Sequence, residues 1–273
     1  MKQGEILKFR ENVHPALWGL ESWEISAHPS GPSIVDGGVL AGHTLAELEP
    51  GFPLLVKVID AKERLSVQVH PNEETMHQTG GEPKTEMWAM LEDGVIYAGL
   101  QPGSSPDDIA AAVRSGSFED LLVRHEAKKG EVFFIPGGLV HAIGAGALIY
   151  EVQQSSNTTF RLYDWNRVGK DGSPRELHIE KSLKAIDYSL PVPVPMTDIK
   201  CQFFDFCQMR LNGDVELNAT DGYTVLFAAE GSFSANGVEI PRRTSALVAP
   251  GAPILLHGCS LVFITRKKLQ IRT

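Results

Sequence analysis

The chain has 273 residues, of which 42% are hydrophobic and 22% are charged, so it is long enough for one large domain or for one medium and one small domain. Its 25 Lys and Arg residues against 34 Asp and Glu residues give a net charge of −9, which argues against nucleic acid or an anionic membrane as a partner. No apolar run approaches the roughly 20 residues that span a bilayer, the N-terminus lacks the apolar core of a signal peptide, and the three cysteines form no close pairs, so we expect a cytoplasmic protein with no membrane partner.

The first segment with a clear pattern, residues 54–70, carries β-type residues at alternate positions on either side of a polar link. This pattern predicts two strands joined by a turn. Residues 86–100 have the same character around Asp93-Gly94, a dipeptide typical of tight turns, and therefore predict a β-hairpin. Strand character returns over residues 130–153. This part of the chain is thus predicted to be mainly β.

One segment within this region predicts helix instead, and it spans about residues 105–124. Ser105 can cap a helix that Gly116 would end. Ser117 can in turn cap a second short helix. We interpret the segment as a helical insertion that covers one end of a barrel.

The C-terminal part predicts a helix at about residues 179–188 and then an extended connection at 190–198, where three prolines remove backbone donors at alternate positions. Short alternating runs separated by turns fill residues 199–273, which predicts a second β-sandwich or barrel. The predicted domains are therefore 1–190 and a smaller one at 191–273.

A polar face runs along one apolar strand. Ser66, Gln68 and His70 occupy alternate positions of the string SVQVH, so their side chains share one side of the strand. The intervening Val67 and Val69 face the opposite way, into apolar packing. Buried polar groups cost free energy unless they have partners, and a metal ion is one such partner.

A second candidate ligand, His141, ends the segment GEVFFIPGGLVH. The spacing Gly-x5-Pro-x-Gly-x2-His is that of the second signature of the cupin superfamily, in which a turn delivers the histidine to the barrel interior. The His-x-His that is usual in the first cupin signature corresponds here to Gln68-x-His70.

The candidate metal ligands are Gln68, His70, Glu86 and His141. Two imidazoles, one carboxylate and one amide oxygen suit a borderline divalent ion such as zinc, with positions left for water or substrate. The sequence therefore predicts one Zn²⁺ per chain. The net positive charge of such a site favours polarisation of an oxygen-bearing substrate.

Longer strings carry a family resemblance, and with them the sequence resembles type I mannose-6-phosphate isomerases. The matching strings are FPLLVKVIDAKERLSVQVHPNEE (52–74), PKTEMWAML (83–91), GEVFFIPGGLVHAIGAG (130–146) and YEVQQSSNTTFRLYDWNR (150–167). The resemblance covers roughly residues 15–190. It implies a mainly β fold, a cupin jelly-roll barrel with a few helices, and zinc held by the four ligands above. It also implies interconversion of mannose 6-phosphate and fructose 6-phosphate.

The same resemblance implies that Arg161 is the essential arginine and that Lys84 and Lys57 line the site. Isomerisation moves a proton between the first two sugar carbons through a cis-enediol. We expect Arg161 to stabilise the enediolate charge, unless it forms a structural ion pair with Asp164. Lys57 or Lys84 could be the general base, whereas a zinc-bound water or Glu86 fits less well. The candidates for binding the phosphate are Ser66, Lys84 and Arg161.

The C-terminal segment carries a faint cupin pattern of two hairpins over residues 222–253, but no histidine follows its Pro250-Gly251 turn at the ligand positions. We therefore expect residues 191–273 to form a degenerate, metal-free cupin-like β-domain. The expected partner is a small sugar phosphate, bound by a monomer or a weak homo-oligomer. Two alternatives stay open: a cupin isomerase for another sugar phosphate, and a non-catalytic sugar-binding cupin.

Overall fold

The computed structural model describes residues 1–168 and 172–267. Far more of these residues lie in strands than in helices, so the predicted mainly β character is confirmed. The strands are β1 (Ile6–Leu7), β2 (Val13–Ala16), β3 (Gly19–Ser26), β4 (Leu54–Ala61), β5 (Val67–Val69), β6 (Glu86–Met90), β7 (Gly94–Leu100), β8 (Leu122–Ala127), β9 (Val132–Ile135), β10 (His141–Ile143), β11 (Leu148–Gln154), β12 (Phe160–Tyr163), β13 (Ile199–Lys200), β14 (Phe204–Leu217), β15 (Thr224–Ala235), β16 (Val238–Ile240), β17 (Ser245–Val248) and β18 (Ile254–Lys267). The helices are α1 (Leu45–Leu48), α2 (Met76–Thr79), α3 (Pro106–Ser115) and α4 (Ile179–Ala185), with a 3-10 helix at Phe118–Leu121. None of the helices in this part of the chain has the length and apolar character needed to span a bilayer.

Three sheets contain these strands. A five-stranded sheet has the order β12-β5-β10-β7-β8, and a six-stranded sheet has the order β2-β3-β4-β11-β6-β9. A seven-stranded sheet has the order β1-β17-β15-β18-β14-β13, with β16 paired to β15. Between β4 and β12 the chain passes repeatedly from one of the first two sheets to the other, which is typical of a jelly roll.

The five- and six-stranded sheets share an apolar core, because alternate residues of each strand face the same way. Trp88, Phe133 and Ile149 of the six-stranded sheet pack in one cluster with Ile96 and Ile143 of the five-stranded sheet. All of these side chains are buried. The removal of this apolar surface from water is the main force that holds the two sheets together.

Helices cover the opposite face of the five-stranded sheet. Val67 of β5 lies in a second apolar cluster with Ile109 of α3, Phe118 of the 3-10 helix and Ala185 at the end of α4. The predicted helical insertion is thus present, but it packs on a sheet face and not over one end of a barrel. The helix predicted at 179–188 ends early, because the residue after α4 takes an extended conformation.

The ends of α3 follow from local hydrogen bonds. Ser105 Oγ accepts a hydrogen bond from the Asp108 amide, and the Asp108 carboxylate accepts one from the Ser105 amide. Gly116 ends the helix in the left-handed region at φ 73°, as predicted. The prediction that Ser117 caps the next helix is wrong: its side chain makes no capping hydrogen bond, and its Oγ lies 2.8 Å from Ser115 Oγ.

Ser105→Ala is expected to lower the free energy of unfolding by about 1 kcal/mol, because it leaves a backbone donor of α3 without its acceptor. Urea denaturation of the purified protein measures this change. Ser232→Ala, on the exposed side of β15, is the matched control and is expected to cost less than about 0.5 kcal/mol. Equal midpoints for the two variants would contradict a stabilising cap.

The segment 86–100 is not a hairpin, contrary to the sequence prediction. β6 pairs with β11 and β9 in the six-stranded sheet, whereas β7 pairs with β10 and β8 in the five-stranded sheet. A bend at 91–93 carries the chain from one sheet to the other. Asp93-Gly94 signals a change of direction, but a local turn signal does not specify which sheet receives the second strand.

The chain contains two compact units, and both are discontinuous in sequence. One unit consists of Met1–Asn12, Ser22–Lys57 and the residues from Thr197 onward; the other consists of Val13–Glu21 and Val58–Met196. The sequence predicts instead a single boundary after residue 190. The N-terminal residues belong with the C-terminal ones because β1 pairs with β17, and the extended connection ends on a backbone bridge between Met196 and Val132.

Candidate metal centre

A cluster of side chains that can ligate a metal lies within the second compact unit. His70 directly follows β5, Glu86 begins β6, and His141 begins β10. One ligand atom of each residue lies within 4.8 Å of the others, and all three residues are buried. Three of the four predicted ligand residues are therefore brought together from two different sheets.

The atoms that meet at this centre are imidazole nitrogens and carboxylate oxygens. Nε2 of His70 lies 3.2 Å from Nε2 of His141. Glu86 places Oε2 at 3.6 Å from the His70 nitrogen and Oε1 at 3.4 Å from the His141 nitrogen. Among the described residues neither carboxylate oxygen accepts a hydrogen bond of ordinary geometry, although the Lys84 ammonium lies 2.9 Å from Oε2.

The other ring nitrogen of each histidine fixes its tautomer. His70 Nδ1–H donates to the Thr158 carbonyl at 2.8 Å, and His141 Nδ1–H donates to the Leu139 carbonyl at 2.8 Å. A carbonyl oxygen can only accept, so the ring proton of each neutral imidazole must be on Nδ1. Both Nε2 atoms therefore present lone pairs toward each other and toward Glu86.

Converging lone pairs beside a buried carboxylate repel one another unless a cation lies between them. Desolvation by burial lowers the pKa of His141 from its usual 6.5 to about 4, with the nearby Lys84 also lowering it, so this imidazole is neutral at pH 7. Neutral imidazoles with an ionised carboxylate are the ligand types of divalent transition metals. The donor set fits such an ion.

Gln68, the fourth predicted ligand, lies beside the cluster on β5. Its cross-strand partner on β10 is His141, so the two side chains share one face of the sheet. Gln68 Nε2 lies 3.2 Å from His141 Nε2. Rotation of the terminal amide by 180° exchanges its nitrogen for its oxygen, which is the atom that can ligate a metal.

Lys84 brings a positive charge to the same cluster. Its Nζ lies 2.9 Å from Glu86 Oε2 and 3.2 Å from His70 Nε2. The side chain is buried, with 5% of its surface exposed. A buried ammonium needs a nearby anion, and Glu86 supplies it. The structure therefore places Lys84 next to the predicted ligands, as expected for a residue that lines the site.

Arg161 lies on the strand next to Gln68. In the pairing of β12 with β5 the two residues are cross-strand partners, so their side chains share one face. The guanidinium donates to the Glu176 carbonyl at 2.8 Å. Asp164 accepts hydrogen bonds from two nitrogens of Arg175, at 2.6 and 2.7 Å, so the predicted alternative of an Arg161–Asp164 ion pair is wrong. Burial lowers the pKa of Arg161, and Arg175 lowers it further.

The two remaining predicted residues are both buried, one just before a strand and the other on a strand. Ser66 immediately precedes β5, two positions from Gln68, which places it on the polar face that the sequence predicts. Lys57 lies on β4 with Nζ 5.3 Å from the centre of the Trp23 ring, a cation–π contact. Alternation along β4 puts Lys57 on the same side as Ile59. The catalytic and phosphate-binding roles of both stay predictions.

Sequence reasoning did not single out the residues that surround His141. The Trp88 ring packs edge-on against its imidazole, with ring centres 5.3 Å apart. Trp88 Nε1 donates to Glu151 Oε2 at 2.8 Å, and the two residues are cross-strand partners. The string LIYEVQQ does indicate that Glu151 belongs to a polar site, because Glu151 and Gln153 put polar groups on alternate positions of an apolar strand.

The depressed pKa of His141 predicts a pH-dependent stability for the metal-free protein. The unfolded chain binds a proton at this residue near pH 6.5, whereas the folded chain does so only near pH 4. The unfolded state therefore binds more protons between these values, and His141 alone should lower the free energy of unfolding by about 3 kcal/mol as pH falls from 7 to 4. Urea titrations of chelator-treated protein measure this slope, which should be shallower in His141→Gln. Equal slopes in both proteins would contradict it.

Comparison with known proteins gives consistent matches. A family model described as "Phosphomannose isomerase type I, catalytic domain" matches residues 19–90. The mannose-6-phosphate isomerase ManA of Bacillus subtilis (strain 168) is 35% identical over 240 residues, which cover 77% of this chain and 76% of that protein. The mannose-6-phosphate isomerase of Streptococcus mutans is 34% identical over 272 residues, which cover 83% and 85%.

A solved structure extends the similarity to the fold. The mannose 6-phosphate isomerase from Bacillus subtilis matches with a TM-score of 0.86 and 26% identity over 96% of this chain and 99% of that one. The predicted cupin jelly-roll fold is thereby confirmed. The match spans nearly the whole chain, whereas the resemblance described in the sequence analysis covers roughly residues 15–190.

Proposed function

This chain belongs to the type I mannose-6-phosphate isomerase family, and we propose that its isomerase activity, the interconversion of mannose 6-phosphate and fructose 6-phosphate, takes place at the centre formed by His70, Glu86 and His141. The observation that supports this location is the convergence of two Nε2 lone pairs and a buried carboxylate, with an ammonium 2.9 Å away. The matched relatives carry the same activity in their names.

We further propose that the centre holds one Zn²⁺ per chain, with His70, Glu86, His141 and Gln68 as ligands. Nitrogen ligands together with a single carboxylate favour zinc over magnesium or calcium, which prefer all-oxygen sites. A zinc ion bound there would act as a Lewis acid toward the oxygen atoms on the first two carbons of the open-chain sugar.

The residues around the centre suggest how the proton moves. In the direction from aldose to ketose, the proton on the second carbon passes to a base and returns to the first carbon, while the hydroxyl proton moves from the second oxygen to the first. Lys84 is the candidate base nearest the centre, with Nζ 2.9 Å from Glu86 Oε2 and 3.2 Å from His70 Nε2. It can accept a proton only as the neutral amine, the form that a cation bound by Glu86 and His70 would favour by repelling an ammonium. Arg161 keeps its charge throughout and stabilises the negative charge of the enediolate.

The phosphate end of the substrate needs charged or hydroxyl donors. Ser66 is the proposed donor, because it lies two positions from Gln68, on the polar face that the sequence predicts. A local donor of this kind can bind an anion even though the chain as a whole carries a charge of −9.

The test is conversion of mannose 6-phosphate to fructose 6-phosphate by protein as purified, after chelation, and after zinc is restored. Activity should disappear on chelation and return with one equivalent of zinc. His257→Gln, an exposed histidine on β18, is the control and should behave like the unaltered protein. Glucose 6-phosphate is assayed in parallel. Failure of folded, zinc-loaded protein to convert mannose 6-phosphate would refute the proposal, and turnover of glucose 6-phosphate alone would assign another sugar phosphate.

A further inference from the structure

A buried amide side chain lies opposite one of the proposed ligands. Gln153 on β11 is the cross-strand partner of Glu86 on β6, so the two side chains share one face of the six-stranded sheet. None of the Gln153 surface is exposed. A buried amide costs free energy unless its donors and its acceptor have hydrogen-bond partners. Its hydrogen bonds therefore indicate which neighbouring groups it positions.

The nitrogen end of Gln153 is fully engaged. Its Nε2 donates to the Gln154 carbonyl at 2.8 Å and to the Ser156 carbonyl at 2.7 Å, which uses both amide protons. These two acceptors also fix the orientation of the amide, because a flipped side chain would place Oε1 against two carbonyl oxygens. Oε1 itself is buried and accepts no hydrogen bond from the residues that the structure describes.

The loop that Gln153 holds leads to His70. The Thr158 amide donates to Ser156 Oγ at 3.2 Å, and Ser156 Oγ donates to the Glu82 carbonyl at 3.1 Å. The Glu82 amide donates in turn to Thr158 Oγ1 at 2.9 Å. These bonds fix the position of the Thr158 carbonyl, which accepts the Nδ1 proton of His70 at 2.8 Å.

We propose that Gln153 is a positioning residue for the metal centre. By holding Ser156, it fixes the Thr158 carbonyl that keeps the ring proton of His70 on Nδ1 and leaves Nε2 as the ligand atom. Gln153 lies on β11, which pairs with β6, the strand that carries Glu86. From there it orients one of the proposed ligands, His70. His141 is independent of this chain of bonds, because its Nδ1 proton is held by Leu139. The inference rests on the proposed function for the bound ion and its ligands, whereas the effect of Gln153 on the His70 tautomer can be measured without either.

The test replaces Gln153 by methionine, which has a similar length but no donor. Long-range ¹H–¹⁵N spectra of the metal-free protein distinguish the two tautomers of each histidine. In Gln153→Met the His70 signal should shift from Nδ1–H toward the Nε2–H form, whereas the His141 signal should stay unchanged as an internal reference. The zinc Kd should rise about 10- to 100-fold, as for other losses of an orienting group behind a metal ligand. Isomerase activity should recover at excess zinc.

Ser156→Ala interrupts the same hydrogen bonds at another point and decides the question if Gln153→Met does not fold. It should also change the His70 tautomer alone. Gln78→Met, exposed on α2, is the control and should leave the spectra and the zinc Kd unchanged. The proposal is overturned if both histidines keep their Nδ1 protons with an unaltered zinc Kd, or if both lose them together. Neither readout requires turnover, so a failed isomerase assay leaves this test intact.

Discussion

Glu86→Gln is expected to remove the bound divalent ion and to lower kcat/KM by about a thousandfold or more, since metal-ion stabilisation of developing charge is worth several kcal/mol. Glu86 provides the carboxylate of the cluster, and both of its oxygens face imidazole nitrogens at 3.4 and 3.6 Å. Glutamine keeps the shape of the side chain but replaces a negatively charged acceptor with a neutral amide. It also leaves the buried Lys84 ammonium without its anion.

The measurement is zinc content after dialysis together with steady-state kinetics on mannose 6-phosphate. Glu216→Gln makes the same chemical change at an exposed position of β14 and should retain one zinc ion and normal kinetics. Circular dichroism establishes that both variants are folded. A Glu86→Gln protein that keeps its zinc and more than about a tenth of its activity would mean that the carboxylate is not a ligand.

Arg161→Lys is expected to lower kcat by about 10²- to 10³-fold, the usual loss when a donor to a developing oxyanion is removed. Lysine retains the positive charge but not the planar pair of donors, so it does not substitute at a site that grips an oxygen with two bonds. Zinc content should stay at one per chain, because the Arg161 guanidinium donates to the Glu176 carbonyl and, among the described residues, touches none of the proposed ligand atoms. Retained zinc would therefore distinguish the Arg161→Lys variant, which is expected to lose only kcat, from the Glu86→Gln variant, which is expected to lose the ion as well.

Steady-state kinetics and zinc analysis on the same preparation test the arginine prediction. Arg210→Lys is the matched control, because Arg210 forms an exposed ion pair with Glu230 on the seven-stranded sheet. Its kinetics should match those of the unaltered protein. If kcat in Arg161→Lys stays within about threefold of normal, the enediolate is stabilised by another group.

Much of the candidate site follows from strand alternation. The polar face of SVQVH predicts that Gln68 and His70 point away from the apolar packing of Val67, and Val67 indeed lies in the cluster beneath the helices. The cupin spacing places His141 beside Gln68, and these two residues are register partners. Local patterns succeed here because a strand fixes the direction of each side chain with a period of two residues.

Other features depend on contacts that local patterns do not encode. The change of sheet after β6 depends on which distant strands are available for pairing, not on the Asp93-Gly94 turn. The Thr158 carbonyl that fixes the His70 tautomer belongs to the backbone, and every residue type offers a carbonyl. The pairing of β1 with β17 joins residues from opposite ends of the chain, which no window of sequence contains.

His141 lies on a strand of the five-stranded sheet and His70 directly follows another strand of that sheet, whereas Glu86 lies on the six-stranded sheet. An ion held by all three residues would therefore form a reversible cross-link between the two sheets of the barrel. Binding to the native state alone raises stability with the logarithm of free ion, by about 2.7 kcal/mol at a hundred times the Kd. Metal starvation would thus lower the stability of the enzyme as well as its turnover, and the thermal melting point of this protein should rise with the free metal concentration.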